Sequence, residues 1–270
     1  MIQRPYLACA VHLTSTPDLA SNLAQAEALV AKAAARGAEL VGLPENFPQI
    51  GESQEEVARQ VETTHPRAEA WLKDQARRHG IVLYGGILEP APSGKVYNTL
   101  VVAGKNGEVI ARYRKRHLFD VAFGGRNTFQ ESAMVEPGDA AVVADLGELG
   151  RLGLSICYDL RFPEHYRELV DQGADLLTVP AAFLPVTGKD HWHALLRARA
   201  IENTCYLLAP AQGGQHNARR ESYGHAVAID PWGCVLADTG ERPGLAMAEI
   251  DPARLAEIRA QLPCLRHRRV

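Results

Sequence analysis

Apolar residues recur along the chain with two periods, one of two residues and one near 3.6, and together they predict strands alternating with helices. Residues 6–13 read as a first strand. Pro17 opens a helix running to about Arg36, with Leu19, Leu23, Ala26, Leu29, Val30 and Ala33 on one face and Gly37 as its stop. A short strand at 39–43 ends at Pro44-Glu45-Asn46, and a second helix spans 67–79, with Trp71 and Leu72 inward and Gly80 as its cap. Strands at 81–88 and 98–103 follow. Lys105-Asn106-Gly107-Glu108 is a hairpin turn, because Asn-Gly accepts the positive φ angles such turns need, and 109–115 is the returning strand. A polar loop at 119–139 precedes a strand pair at 141–145 and 152–156. Beyond it come a helix at 164–172, a strand at 175–180, a helix at 190–203 and a strand at 205–209. A loop at 212–222, a strand at 226–229, a turn at Pro231-Trp232-Gly233, a strand at 245–250 and a helix at 252–261 close the series. No linker or repeat interrupts it, so one domain over 1–270 is expected, a mixed sheet system with helices outside.

The series is organised around residues 151–164, RLGLSICYDLRFPE. Leu152, Leu154 and Ile156 alternate with Gly153 and Ser155 as in a strand, and Pro163 suits the first position of a helix. Cys157 therefore falls where a strand stops and a turn begins. That geometry lifts a nucleophile out of a sheet and leaves the next N–H, that of Tyr158, free to meet an oxyanion. A buried cysteine packed as a small hydrophobe is the other reading of the same position.

Composition narrows the setting. Hydrophobic residues make up 46% and charged residues 23% of the 270, as in ordinary globular proteins, and the net charge of −3 speaks against nucleic acid or an anionic membrane as partner. The one dense basic run, Arg112–His117, is too short for a nucleic-acid footprint. The opening MIQRPYLACAVHL has no signal-peptide pattern, and no window is apolar enough to span a bilayer. Five scattered cysteines without a C-x-x-C pair fit a reducing cytoplasm.

Three further positions invite chemistry. Glu45 follows the 39–43 strand, at a carboxyl end where open-sheet sites gather, although most glutamates in loops are simply solvated. Alternation sorts the basic run: Arg112, Arg114 and Arg116 share one face, and Tyr113, Lys115 and His117 the other, so Lys115 is the inward cation. Glu131, taken alone, is a loop glutamate. Cysteine, glutamate and lysine together suit attack by a thiol on an amide or nitrile carbon. The carboxylate moves the proton, and an ammonium or backbone N–H meets the oxyanion.

Rival chemistries are weaker. A Cys–His protease would recruit His117, His165, His191 or His225, yet no protease signature surrounds Cys157. The rings of His191 and His193 diverge at i, i+2 on a helix, H-E-x-x-H is absent, and there is no G-K-[ST] phosphate loop. Neither metal nor cofactor is expected.

The segments Gly42-Leu43-Pro44-Glu45-Asn46-Phe47, Tyr113-Arg114-Lys115-Arg116-His117-Leu118-Phe119-Asp120 and Ser155-Ile156-Cys157-Tyr158-Asp159-Leu160-Arg161-Phe162-Pro163-Glu164 resemble the three signature segments of the nitrilase superfamily of carbon–nitrogen hydrolases. The likeness runs from about Pro5 to Arg269. It implies an α-β-β-α sandwich that dimerises into an eight-layered assembly. It also implies Cys157 as nucleophile, Glu45 as general base and Lys115 as stabiliser of the tetrahedral intermediate. Glu131 matches the superfamily's second glutamate, which positions substrate and holds the lysine.

Residues 212–216 (QGGQH), 220–225 (RESYGH), 230–233 (DPWG) and the ending 262–269 are most similar to the branch that hydrolyses deaminated glutathione. The sister ω-amidase branch, acting on 2-oxoglutaramate, is nearly as similar around Cys157; N-carbamoyl amidase or nitrilase activity, and an idle scaffold on the same fold, are the remaining alternatives. The chain departs from these relatives at Phe123-Gly124-Gly125 and at Ala226, both near loops that would shape a pocket. The expected reaction is cysteine-mediated hydrolysis of a small carboxylate-bearing amide with release of ammonia. Tyr158, Phe183, Arg161 and Arg220 are the candidates for binding oxyanion or substrate, Arg161 competing with a structural pairing to Asp159. Arg197, Arg199 and Glu202 read as packing and salt-bridge residues at a dimer face.

Overall fold

In the computed structural model, which describes residues 1–123 and 127–269, the strand Tyr6–Leu13 carries a different core on each of its faces. Ala8 and Ala10 pack with Leu40, Tyr84, Leu152 and Leu177, while Cys9, Val11 and Leu13 pack with Ala26, Val30 and Leu72. A strand buried on both sides reads as a nearly unbroken apolar run, which is what 6–13 shows.

This strand is parallel to Ala38–Gly42 and antiparallel to Gly244–Ile250. The sheet continues through Val82–Pro90, Val96–Ala103 and Val109–Arg114. A second sheet runs in the order Val235–Asp238, Val227–Ile229, Tyr206–Ala209, Leu176–Thr178, Arg151–Leu154 and Val143–Asp145. Helices α1 (Leu19–Ala35) and α2 (Gln54–His79) pack on the first sheet, and α3 (Pro163–Asp171) and α4 (Pro185–Asn203) on the second. The layers are therefore α-β-β-α, as the resemblance implies. A last helix, α5 (Pro252–Gln261), lays Leu255 against the inter-sheet core.

The helices are longer than their apolar patterns. α1 begins at Leu19, where the Asp18 carboxylate accepts a hydrogen bond from Ser21 N–H and so replaces Pro17 as the start signal. α2 begins at Gln54, capped by Ser53, and carries Pro66 inside it. Its first half is too polar to show a helical stripe; Val61 is buried there in a small cluster with Val96 and Val135. α4 starts at Pro185 rather than at 190, because Gly188 lets its first turn lie against the Tyr223 ring. Both expected long loops hold short strands. Asp120–Phe123 pairs with Asn127–Gln130, and Ala211–Gln215 pairs with Glu221–Tyr223. The strand Val235–Asp238 was not expected, since its residues are largely exposed and show no alternation.

Candidate active site

Three strands of the two facing sheets end close together, and the chain just beyond each end brings one candidate residue inward. Glu45 lies past Ala38–Gly42 in a turn whose backbone is pinned to the neighbouring strand, with Leu43 N–H donating to Tyr84 O and Phe47 N–H to Gly86 O. The turn can approach this closely because Gly86 has no side chain: a Cβ there would stand 2.7 Å from the Glu45 Cα. Lys115 follows Val109–Arg114, its N–H bonded to Asn98 O at 2.8 Å. Tyr113 and Lys115 are buried and Arg112 and Arg114 are not, as alternation requires. Glu131 begins a 3-10 turn after the small hairpin, and its Oε2 accepts Phe119 N–H at 2.6 Å.

The three charged side chains meet. Lys115 Nζ lies 3.1 Å from Glu45 Oε1 and 3.0 and 2.9 Å from the two Glu131 oxygens. Ala182 N–H donates to Glu45 Oε2 at 2.9 Å, and Asn98 Nδ2 donates to Glu45 Oε1 at 2.7 Å. Two carboxylates thus share one ammonium in a site where all three are nearly sealed from water. Burial works to raise the Glu45 carboxyl. The Lys115 charge and the hydrogen bonds from Asn98 and Lys115 outweigh it and hold the group below its ordinary value. Burial also opposes the Lys115 charge, yet Glu131 and Glu45 on either side push it well above the usual lysine value.

Cys157 faces this group and lines the same cavity as Glu45 and Lys115, close enough for the Glu45 charge to act on its thiol. Its backbone has φ +47°, a left-handed conformation that costs a cysteine energy and persists only where its surroundings enforce it. The strand stops at Leu154, and Cys157 N–H is tied across to Pro180 O at 2.9 Å. Tyr158 N–H opens the 3-10 turn Cys157–Arg161 and donates to no acceptor among the described residues, so it remains free to meet a ligand. Burial, then the Glu45 charge, push the thiol well above its ordinary value. A neutral thiol therefore sits beside an ionised carboxylate, an arrangement in which the carboxylate can accept the thiol's proton.

Asp159 holds this turn in place. Fully buried, it accepts from Tyr113 Oη at 2.7 Å, His117 Nδ1 at 2.7 Å, His117 N–H at 3.1 Å and Ile156 N–H at 2.8 Å. It thereby joins the Cys157 turn to the segment carrying Lys115. The structural pairing of Arg161 with Asp159 does not form. Arg161 instead lies over the Phe183 and Tyr158 rings and donates to His191 Nδ1 at 3.3 Å, outside the cavity lining. Arg199 supports the same turn by donating through Nε and Nη2 to Leu160 O, and Arg197 donates to Gly233 O, so both arginines do pack within the chain.

Above Cys157 opens a cavity of about 500 Å³. Phe119, Phe129, Tyr158 and Phe183 give it aromatic walls, and Arg219, Arg220, Glu52 and Glu221 stand among the residues lining it. Among the described residues, neither arginine pairs with a carboxylate. Of the four candidates for binding oxyanion or substrate, Phe183, Tyr158 and Arg220 line the cavity and Arg161 does not. Ala226 is buried in the inter-sheet core and does not line it; positions 124 and 125 of the Phe123-Gly124-Gly125 departure lie outside the described residues.

Sequence reasoning missed Asn98, Ala182, Arg219 and Gln212. Gln212 holds the base of the site by accepting Ser15 N–H at 3.0 Å and donating to Glu45 O at 3.2 Å. Asn98, Ala182 and Gln212 act through partners distant in sequence, which no local pattern announces, and Arg219 is placed only by the cavity it lines. The expected divergence of His191 and His193 holds. His193 nonetheless meets His225 and Asp238 away from the cavity, in a hydrogen-bonded group whose polar atoms lie within 4.8 Å of one another.

The sequence model of the carbon–nitrogen hydrolase family matches residues 7–260. A protein of Synechocystis sp. named deaminated glutathione amidase is 52% identical over 98% of both chains. The crystal structure of the C. elegans NitFhit protein, 38% identical, superposes on the whole chain with a TM-score of 0.95, the chain spanning 66% of that longer protein. A glutamate-to-glutamine mutant of the amidase from Nesterenkonia sp. AN1 is 28% identical, with a TM-score of 0.82 over 97% of this chain and 96% of its own. It shows covalent addition of the acetamide moiety of fluoroacetamide at its active site cysteine.

Proposed function

The chain belongs to the carbon–nitrogen hydrolase family and is an amidase, and on that premise we propose that Cys157 is its nucleophile and deaminated glutathione its substrate. The observation that carries the mechanism is the buried Cys157–Glu45–Lys115–Glu131 group at the floor of the cavity. Cys157 Sγ attacks the amide carbonyl carbon as Glu45 takes the thiol proton. Lys115 Nζ and Tyr158 N–H face the oxyanion. Glu45 then protonates the departing nitrogen, leaving a thioester. Water, deprotonated by the same carboxylate, attacks that thioester, and the acid leaves as the thiol reforms. Glu131 orients Lys115 throughout.

Glutathione is a tripeptide, so its deaminated form is a 2-oxoglutaryl group joined through an amide to cysteinylglycine. The group leaving Cys157 is then the dipeptide's amine; ammonia leaves only from a primary amide such as 2-oxoglutaramate. A cavity of about 500 Å³ suits a tripeptide-sized ligand, whereas 2-oxoglutaramate leaves much of it unfilled. Arg219 and Arg220 suit the carboxylates that such a substrate carries.

Both substrates yield 2-oxoglutarate, so one coupled assay reads both. Deaminated glutathione is expected to exceed 2-oxoglutaramate, a carbamoyl amino acid and a simple nitrile by more than tenfold in kcat/KM, about 1.4 kcal/mol of transition-state preference. Arg220→Ala is expected to raise KM for deaminated glutathione about five- to tenfold with little change in kcat. Equal or better turnover of 2-oxoglutaramate would overturn the substrate reading while leaving the mechanism in place.

A homodimer in the cytoplasm is part of the same proposal. Ile201 on α4 and Trp232 are large apolar residues on the surface, with Gly233 between them packed against Ile201. The five cysteines are free, and no helix among the described residues is long and apolar enough to cross a membrane. Sedimentation equilibrium at micromolar concentration is expected to give twice the chain mass; a monomer would refute the dimer.

A further inference from the structure

We propose that Asn98 is a positioning residue of the reaction, its side-chain amide clamping Glu45 and Glu131 in the arrangement the Cys157 chemistry requires. The proposal rests on the catalytic reading above and concerns a residue that reading does not use. Asn98 Nδ2 lies 2.7 Å from Glu45 Oε1 and 3.2 Å from Glu131 Oε1. These are the same two oxygens that Lys115 Nζ meets at 3.1 and 3.0 Å. Two anionic oxygens are thus bridged twice, once by an ammonium and once by a neutral amide. The amide's orientation is fixed by this contact, because turning it over would aim its carbonyl at both carboxylates.

Two features separate this from ordinary packing. Asn98 is 1% exposed, yet its Oδ1 has no hydrogen-bond partner; the side chain serves the glutamates at the expense of its own carbonyl. Its main-chain carbonyl also accepts Lys115 N–H at 2.8 Å, so one residue sets the backbone of the lysine and the carboxylates of both glutamates. Strand pairing with Val82–Pro90, where Asn98 stands opposite Leu88, holds the residue itself.

The chemical consequence follows from charge. Lys115, Glu131 and Cys157 are the titratable groups facing Glu45. One ammonium serves two carboxylates, and the Asn98 hydrogen bond favours the ionised form of Glu45 without adding charge. Removing the amide leaves Glu45 with fewer donors beside a like charge, so it takes up a proton more readily and fails as a base at a higher pH than before.

The test is the pH profile of kcat/KM for amide hydrolysis, with thermal unfolding measured alongside. Asn98→Ala is expected to lower kcat by about tenfold to a hundredfold with KM changed less than about threefold, and to move the acid limb up by about one pH unit. Asn98→Asp has nearly the same shape and carries the test if the alanine variant does not fold. It sets a third carboxyl group against Glu45 and Glu131 and so favours proton uptake by the group, and it is expected to move the acid limb at least as far as Asn98→Ala. An acid limb at the wild-type pH in both variants would overturn the proposal, leaving Asn98 a structural residue. Cys157→Ala measured in the same assay keeps the two readings apart: its retained activity would sink the catalytic reading, whereas a shift of the Asn98 limb is judged against wild type on the same substrate.

Discussion

Cys157→Ala is expected to lower amide hydrolysis by about 10,000-fold or more while leaving the unfolding temperature within a few degrees of wild type. The size of the loss follows from the division of labour in the site. In the proposed mechanism no thioester forms without Sγ, and Glu45, Lys115 and Tyr158 N–H can only assist direct attack by water. The small structural cost follows from the surroundings. The side chain lies against the cavity, and the φ of +47° at this position is imposed by Cys157 N–H on Pro180 O and by the Asp159 network, none of which needs the sulfur. A haloacetamide reagent should label the Cys157 peptide in wild type; Cys234 is exposed and Cys264 half-buried and both are retained in the variant, so the labelled peptide must be identified. Hydrolysis persisting at more than about a hundredth of the wild-type rate would remove Cys157 from the mechanism.

Lys115→Met is expected to abolish turnover and also to cost the fold about 3–5 kcal/mol, since it leaves two buried carboxylates with no cation. The pH dependence separates this from a lost packing contact. In wild type the Glu45 carboxyl lies below its ordinary value, so its contribution is present above about pH 4 and is lost as pH falls through the folded value. The Lys115 ammonium lies above its ordinary value, so its contribution is complete below about pH 10 and is lost only as pH rises further. Between those limits wild-type stability should be nearly flat as far as this group decides. In the variant the sign reverses at the acid end: Glu45, buried and without its cation, binds a proton more tightly folded than unfolded, so lowering the pH from 7 to about 5 should stabilise the protein. Chemical denaturation at the two pH values measures this directly. A variant equally destabilised at both would show that the ammonium is not what keeps Glu45 ionised.

Much of the candidate site was legible because its residues sit where strands end. Cys157 and Glu45 each follow an apolar run broken by a turn, and the alternation in 109–115 separated Lys115 from the arginines beside it. Glu131 carries no such mark. It follows a hairpin whose strands are four residues long, and only the superfamily resemblance singled it out. Arg161 was misjudged for a related reason. Closeness along the chain made Asp159 look like its partner, whereas the buried carboxylate turned inward to Tyr113 and His117, where two hydrogen bonds from a distant strand end satisfy it away from water.

What the sequence by itself determined is a mixed sheet system with helices outside and, through the superfamily resemblance, its four layers and the residue types of the candidate site. A cysteine that follows an apolar strand and precedes a helix leaves the sheet at a turn. The tertiary structure decided which polar groups share the interior. Asn98 lies in a regular apolar strand, Ala182 offers only its backbone N–H, and Gln212 reaches Glu45 from a strand far along the chain. Hydrogen bonds form across whatever distance folding closes, and a buried carboxylate is held by donors from several elements at once. Hydrophobic period is a local property of the chain; the satisfaction of a buried charge is not.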